Sequence, residues 1–207
     1  GEFQVNLLQC RPMQTKGLGH RVKIPKTIPK SKILFQSQGN FLGGNILQSI
    51  DRIIYVDPEA YCGLETQSER YDIARVVGEL NRKIENREKT AVMLLGPGRW
   101  GTTTPALGVP VSFAEINHIT VLGEIAFVTE NASPEISFGT HFFQDLVETR
   151  IFYVALFPDD PGVLIDQKFF DKIPKTLRKL APEYKKYEHM GKIFDVKKNE
   201  LKIAADI

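Results

Sequence analysis

Short apolar runs alternate along the chain with segments whose apolar residues recur at helical spacing. The clearest run is Arg52–Val56, and Asp57-Pro58 directly after it ends a strand. The clearest helix is predicted at 66–86, where Thr66 and Glu69 fit a capping box. Its apolar residues share one helical face: Ile73, Val76, Val77, Leu80 and Ile84. This part of the sequence predicts a buried strand followed by an amphipathic helix.

The rest of the chain continues this alternation. Further strands are predicted at 32–36, 90–95, 119–129 and 151–157. Helical patterns lie at 112–117, 137–149, 166–172 and 175–180. Two last runs, 193–196 and 201–204, predict a closing hairpin around 197–200. Strands that alternate with helices favour an α+β (mixed α/β) fold, in which helices flank a mixed sheet.

The first 31 residues differ from the rest in pattern. Gly1-Glu2-Phe3 is typical of a vector remnant, and residues 3–10 alternate like a strand that has no nearby partner. Residues 13–31 are rich in Lys, Gly and Pro, which favours a linker or an extended arm. We therefore predict three parts: the terminal strand of another domain at 1–12, an arm at 13–31, and a mixed α/β domain at 32–207.

Three stretches are similar to one known family. Leu7-Leu8-Gln9-Cys10-Arg11-Pro12 resembles the last strand of the ATP-grasp nucleotide-binding domain of phosphoenolpyruvate synthases and pyruvate phosphate dikinases. GPGRWGTTTPALGVPV (96–111) and GTHFFQDLVE (139–148) resemble the C-terminal region of large phosphoenolpyruvate synthase-like proteins, which follows their ATP-grasp part. The resemblance implies that the chain comes from an ATP-dependent phosphotransferase of the kinase or dikinase type, with an upstream ATP-grasp domain as its partner.

The resemblance also assigns a nucleotide site. It matches Gln9 and Arg11 to nucleotide-binding positions and implies ATP and Mg as cofactors of the parent protein. An arginine suits this role because its planar guanidinium offers two parallel donors to phosphate oxygens. The family's acidic metal-binding residue, glycine-rich ATP loop and lysine are missing from this sequence, and Gly43-Gly44 is not followed by a phosphohistidine. We therefore expect that the chain does not turn over ATP alone and binds no cofactor tightly.

A glycine-rich loop at 96–101 follows a predicted strand and is a candidate anion site. Gly96 and Gly98 permit a close backbone approach, and successive amides beside Arg99 and Trp100 suit a phosphate or carboxylate. The loop lacks the Gly-Lys-Ser/Thr of a P-loop. Two interpretations stay open: a site for a small anionic metabolite, and a structural turn in which Arg99 pairs with an internal carboxylate and Trp100 packs in the core.

Three residues form a weaker candidate for a metal site. His141 and Asp145 lie one helical turn apart in the predicted helix 137–149 and so face one side. A His and an Asp at this spacing can present two metal ligands, and Glu124 on the preceding strand is a third candidate. The alternative is an ordinary helix surface with a local His–Asp hydrogen bond.

Composition narrows the classes of partner. The 27 basic and 25 acidic residues give a net charge of +2, and the basic clusters lack aromatic stacking residues, so we expect no nucleic acid partner. No stretch approaches the ~18–20 apolar residues of a membrane helix, so we expect no membrane partner. The two cysteines make no disulfide framework and favour a reducing, cytoplasmic compartment. Besides the phosphotransferase interpretation, a regulatory or interaction domain and a structural, homo-oligomeric domain remain open.

Overall fold

A computed structural model describes residues 22–126, 136–137, 140–174, 176–197 and 200–205 of the chain. The predicted terminal strand of another domain at 1–12, with Gln9 and Arg11, lies outside the described residues. Residues 22–29 contain no helix or strand, and 23–29 are exposed. The prediction of an α+β fold with a mixed sheet is confirmed.

The described residues form short and medium-length elements. The strands are β1 (Phe35–Gln36), β2 (Phe41–Leu42), β3 (Ile46–Ile50), β4 (Arg52–Val56), β5 (Val92–Pro97), β6 (Val121–Ile125), β7 (Phe152–Leu156), β8 (Leu164–Ile165), β9 (Gly191–Asp195) and β10 (Leu201–Ala205). The α-helices are α1 (Pro58–Cys62), α2 (Gln67–Arg82), α3 (His141–Glu148), α4 (Gln167–Asp171) and α5 (Leu177–Leu180). Turns of 3-10 helix lie at Lys30–Lys32, Phe113–Glu115 and Pro182–Tyr187. None of these helices is long and apolar enough to cross a membrane.

A six-stranded mixed sheet is the centre of the fold, with strand order β2-β7-β6-β5-β4-β9. The four inner strands β4 to β7 are parallel, and β2 and β9 pair antiparallel at the two edges. The connections β4 to β5, β5 to β6 and β6 to β7 each lead to the neighbouring strand, always in the same direction across the sheet. Because crossovers between parallel strands are almost always right-handed, the helices in these connections are expected on the same face of the sheet. Residues of α2 and α3 accordingly pack in one core cluster.

The parallel strands are buried on both faces, which explains their continuous apolar sequences. In β4, Ile54 and Val56 face the helices, whereas Ile53 and Tyr55 face the opposite side. The second side is covered by the small antiparallel pairs β1–β8 and β3–β10 and by α4, which contributes Phe170. Two separate cores therefore sandwich one sheet.

Helix α2 begins where the capping box was predicted. The Thr66 hydroxyl accepts from the Glu69 amide, and the Glu69 carboxylate accepts from the Thr66 amide at 3.1 Å. The helix then buries its predicted apolar face against the sheet. The helix predicted at 112–117 is only a 3-10 turn, Phe113–Glu115, although the Ser112 amide does donate to Glu115 at 2.8 Å.

The predicted closing hairpin is wrong. Strand β9 pairs with β4 and β10 pairs with β3, rather than with each other. Only Asp51 separates β3 from β4, so 46–56 forms one nearly continuous extended segment, and 191–205 runs antiparallel along its whole length. After β9 the Val196 amide donates to the Asp51 carbonyl at 2.8 Å, and the pairing resumes at Leu201, which lies opposite Ile50.

The β3–β10 pair predicts a contrast between two apolar residues in the same ladder. Ile203 of β10 is 6 % exposed and packs in the second core, whereas Leu47 of β3 is 56 % exposed. Ile203→Ala should lower the free energy of unfolding by about 2–5 kcal/mol, because it removes buried methyl groups and leaves a cavity. Leu47→Ala should change it by no more than about 0.5 kcal/mol. Urea denaturation of both variants measures this, and equal losses would contradict the pairing.

Candidate functional site

The backbone amides of the loop at 96–101 donate hydrogen bonds within the protein. Those of Gly98, Arg99 and Gly101 donate to backbone carbonyl oxygens at 2.8–3.0 Å, and that of Trp100 donates to the Glu124 carboxylate at 2.9 Å. All four successive amides at 98–101 are therefore hydrogen-bonded within the protein. An anion could bind to these amides only by displacing one of the hydrogen bonds that they already donate.

Trp100 is a core residue. Its indole is fully buried and its Nε1–H donates to the Gly123 carbonyl at 3.2 Å. The ring passes so close to Gly96 that a Cβ there would lie 2.7 Å from it, which accounts for the glycine. Gly98 has φ of +57°, a left-handed conformation that glycine adopts without strain. The Trp100 part of the structural-turn interpretation is thus confirmed. Arg99 is half-buried beside it.

Glu124, the second-last residue of β6, connects several segments of this region. Its carboxylate is fully buried and accepts four hydrogen bonds. The donors are the Trp100 amide (2.9 Å), the Ser137 amide (2.7 Å), the Ser137 hydroxyl (2.5 Å) and the Tyr153 hydroxyl (2.6 Å). One side chain therefore joins the glycine-rich loop, the segment before α3 and strand β7.

Burial dominates the electrostatics of this carboxyl. It raises the pKa of Glu124 above its usual value of 4.5, and the four hydrogen bonds oppose that rise. Burial also raises the pKa of the neighbouring Tyr153 hydroxyl, as does the negative charge of Glu124. The phenol stays protonated and remains a donor. The cluster is arranged to hold one acidic group in the interior.

The predicted metal set is not brought together. His141 and Asp145 both lie on α3 and are exposed, whereas the Glu124 carboxylate is fully buried and bonded as described. Among the residues that the structure describes, no group of three or more His, Cys, Asp or Glu side chains could hold a metal ion. Glu124 serves instead as an acceptor for neutral donors.

A crevice that the sequence did not indicate lies at the carboxyl ends of the parallel strands. It has a volume of about 550 Å³ and includes Asp57 after β4, Ile125 at the end of β6, and Gln167 and Asp171 of α4. Open sheets with parallel strands commonly bind ligands at this edge. The crevice is therefore the location in which a ligand of the sheet itself would be expected.

A buried lysine stands beside that crevice. Lys192 of β9 is 8 % exposed, and its Nζ lies 2.9 Å from Asp57 Oδ2 and 4.0 Å from Asp171 Oδ1. The same ammonium lies 5.6 Å from the centre of the Tyr55 ring. These residues are far apart in sequence, and only the β4–β9 pairing brings Lys192 opposite Tyr55. The Asp-Pro after an apolar strand was the one available signal, and it was interpreted as a strand end.

Compared with family models, with curated proteins and with solved structures, the chain gives no match. Its function therefore has to be inferred from its own residues.

The buried Glu124 carboxyl predicts a specific pH dependence. Since its folded-state pKa lies above 4.5, the folded protein keeps a proton that the unfolded chain has already released. The stabilisation is fully present below pH 4.5 and is lost as the pH rises through the folded-state pKa. Relative to Glu124→Gln, the wild-type free energy of unfolding should fall by up to about 1.4 kcal/mol per pH unit in that window.

Urea denaturation of both proteins between pH 4.5 and pH 8 measures the difference. Parallel stability curves for the two proteins would show that the carboxyl is ionised throughout the range, contrary to this prediction.

Proposed function

We propose that this chain is the C-terminal part of a phosphoenolpyruvate synthase-like, ATP-dependent phosphotransferase, and that its mixed α/β domain supports catalysis without carrying it out. The supporting observation is that the two internal motifs of the resemblance, 96–111 and 139–148, pack on each other. Gly101 lies so close to Phe142 of α3 that a Cβ on this glycine would be 2.3 Å from the ring. Two stretches separated in sequence thus act as one structural unit.

That unit is organised for packing. The loop amides at 98–101 are bonded internally, Trp100 is in the core, and Glu124 has four donors. A catalytic phosphate loop instead leaves amides available to the phosphate. We therefore assign phosphate binding to the upstream ATP-grasp domain, where the resemblance places Gln9, Arg11, ATP and Mg. In keeping with the two-cysteine composition, we assign the parent protein to the cytoplasm.

The second candidate function is a metabolite-binding regulatory domain attached to the same kind of enzyme. The crevice at the carboxyl ends of the strands favours it, because about 550 Å³ is a usual size for a small-molecule site. In this proposal Arg99 contacts a small anionic metabolite, or the crevice, which Asp57, Glu59 and Asp171 line, binds a metabolite that is not anionic, and the signal passes to the upstream domain.

Two arginine substitutions in the full-length parent protein separate the candidates. Arg11→Lys should weaken binding of MgATP by at least about tenfold, because lysine cannot reproduce bidentate contacts to phosphate. Arg99→Lys is the matched control and should leave MgATP affinity within twofold of wild type, because the amides around it are already bonded within the protein. Isothermal titration calorimetry measures both affinities.

The isolated 207-residue chain should release no phosphate from ATP, whereas the parent protein should. Equal MgATP affinity for wild type and Arg11→Lys would contradict the phosphotransferase proposal. If phosphoenolpyruvate or inorganic phosphate gives binding heat with the isolated chain, and Arg99→Lys abolishes that heat, the result would favour the regulatory domain.

A further inference from the structure

A second cavity lies on the other face of the central sheet, among residues of the second core. It has a volume of about 720 Å³ and opens between the arm at 24–28 and the sheet. Its floor is formed by Met93 of β5 and by Phe152 and Val154 of β7, and Ile203 of β10 closes one side. Cavities of this size that are lined mainly by apolar side chains are typical of small-molecule sites.

The arm is an incomplete cover. Ile24 and Ile28 both line the cavity and yet remain 37 % and 41 % exposed. Large aliphatic side chains in an extended segment gain stability when an apolar surface covers them. An apolar group in the cavity would cover the inner sides of both isoleucines and the floor at once.

The charged residues that line this cavity are all basic. Lys26, Lys32 and Lys202 are among the residues that line it, and no Asp or Glu is among the described lining residues. All three lysines are exposed, and a lysine on such a surface can keep its ammonium group in water while its aliphatic stem covers apolar neighbours. The crevice at the strand ends has the opposite character, since Asp57, Glu59 and Asp171 line it. The two openings therefore select for different ligands.

We propose that the cavity beneath the arm binds a free, single-chain amphipathic anion, with its aliphatic body on the sheet and its carboxylate among Lys26, Lys32 and Lys202. Apolar burial supplies most of the affinity, because it scales with the area removed from water. The lysines select the sign of the head group, since exposed ion pairs contribute modestly and a cationic head group would be repelled. This site uses no residue of the loop at 96–101 and is independent of the phosphotransferase proposal.

Two amphiphiles with the same tail test the proposal. Dodecanoate, kept below its micelle concentration, should bind the 207-residue chain saturably at one molecule per chain, and dodecylammonium should bind at least about tenfold more weakly. Isothermal titration calorimetry measures both. No binding of dodecanoate, or equal affinity for the two amphiphiles, would overturn the proposal.

Charge reversal locates the site. Lys32→Glu with Lys202→Glu should weaken dodecanoate binding about tenfold, because two favourable contacts become repulsive. Lys89→Glu with Lys179→Glu is the matched control: it changes the net charge equally at exposed positions that do not line the cavity, and should leave the affinity within twofold. Equal weakening by both pairs would mean that only net charge matters and would overturn the site.

A third variant separates loss of binding from misfolding. Ile28→Glu places a carboxylate on the exposed arm, away from the two cores, and should weaken dodecanoate binding while circular dichroism stays unchanged.

Lipid vesicles distinguish a free amphiphile from a membrane surface as the ligand. Vesicles of phosphatidylglycerol should not sediment the chain. Sedimentation with vesicles in the absence of dodecanoate binding would indicate a membrane surface instead and would overturn the proposal.

Discussion

One buried carboxylate determines how three segments of this fold are assembled around strand β6. Glu124 is the second-last residue of a buried strand that is otherwise apolar, and an unpaired charge there would be very costly. Four donors from three segments satisfy it, so the glycine-rich loop, the segment before α3 and β7 must all be in place together. Gly98 serves this requirement, because its left-handed φ of +57° lets the chain turn so that the Trp100 amide reaches Glu124.

The sequence predicted the parts of the fold that depend on local pattern. The β4 strand, the α2 capping box and the apolar face of α2 were all predicted, because each depends only on residues that are close together in the sequence. The hairpin prediction failed for a different reason. A short polar stretch between two apolar runs is compatible both with a hairpin turn and with two strands that pair with other partners, and only those partners decide between the two. That partner, β3, lies about 150 residues earlier in the chain.

Residues of the candidate sites were only partly predictable. Gly96, Gly98 and Trp100 form an unusual cluster in the sequence, but composition does not determine whether the loop amides face a ligand or a carbonyl. The sequence pattern places Glu124 on the strand before the helix of His141, whereas its four donors lie 13 to 29 residues away along the chain and only the fold brings them to it. Lys192 and Asp57 are 135 residues apart, and no local spacing connects them. Long-range pairing decides what such charged side chains do.

The long run of pairing between 191–205 and 46–56 has a consequence for how the protein opens. Segment 191–205 belongs to the central sheet at one end and to the small β3–β10 layer at the other. The second layer therefore cannot separate from the sheet without peeling away an edge strand, and local opening of the two becomes one cooperative event. Amides of β3 and β10 should then exchange with solvent at rates close to those of β9, as a single exchange unit.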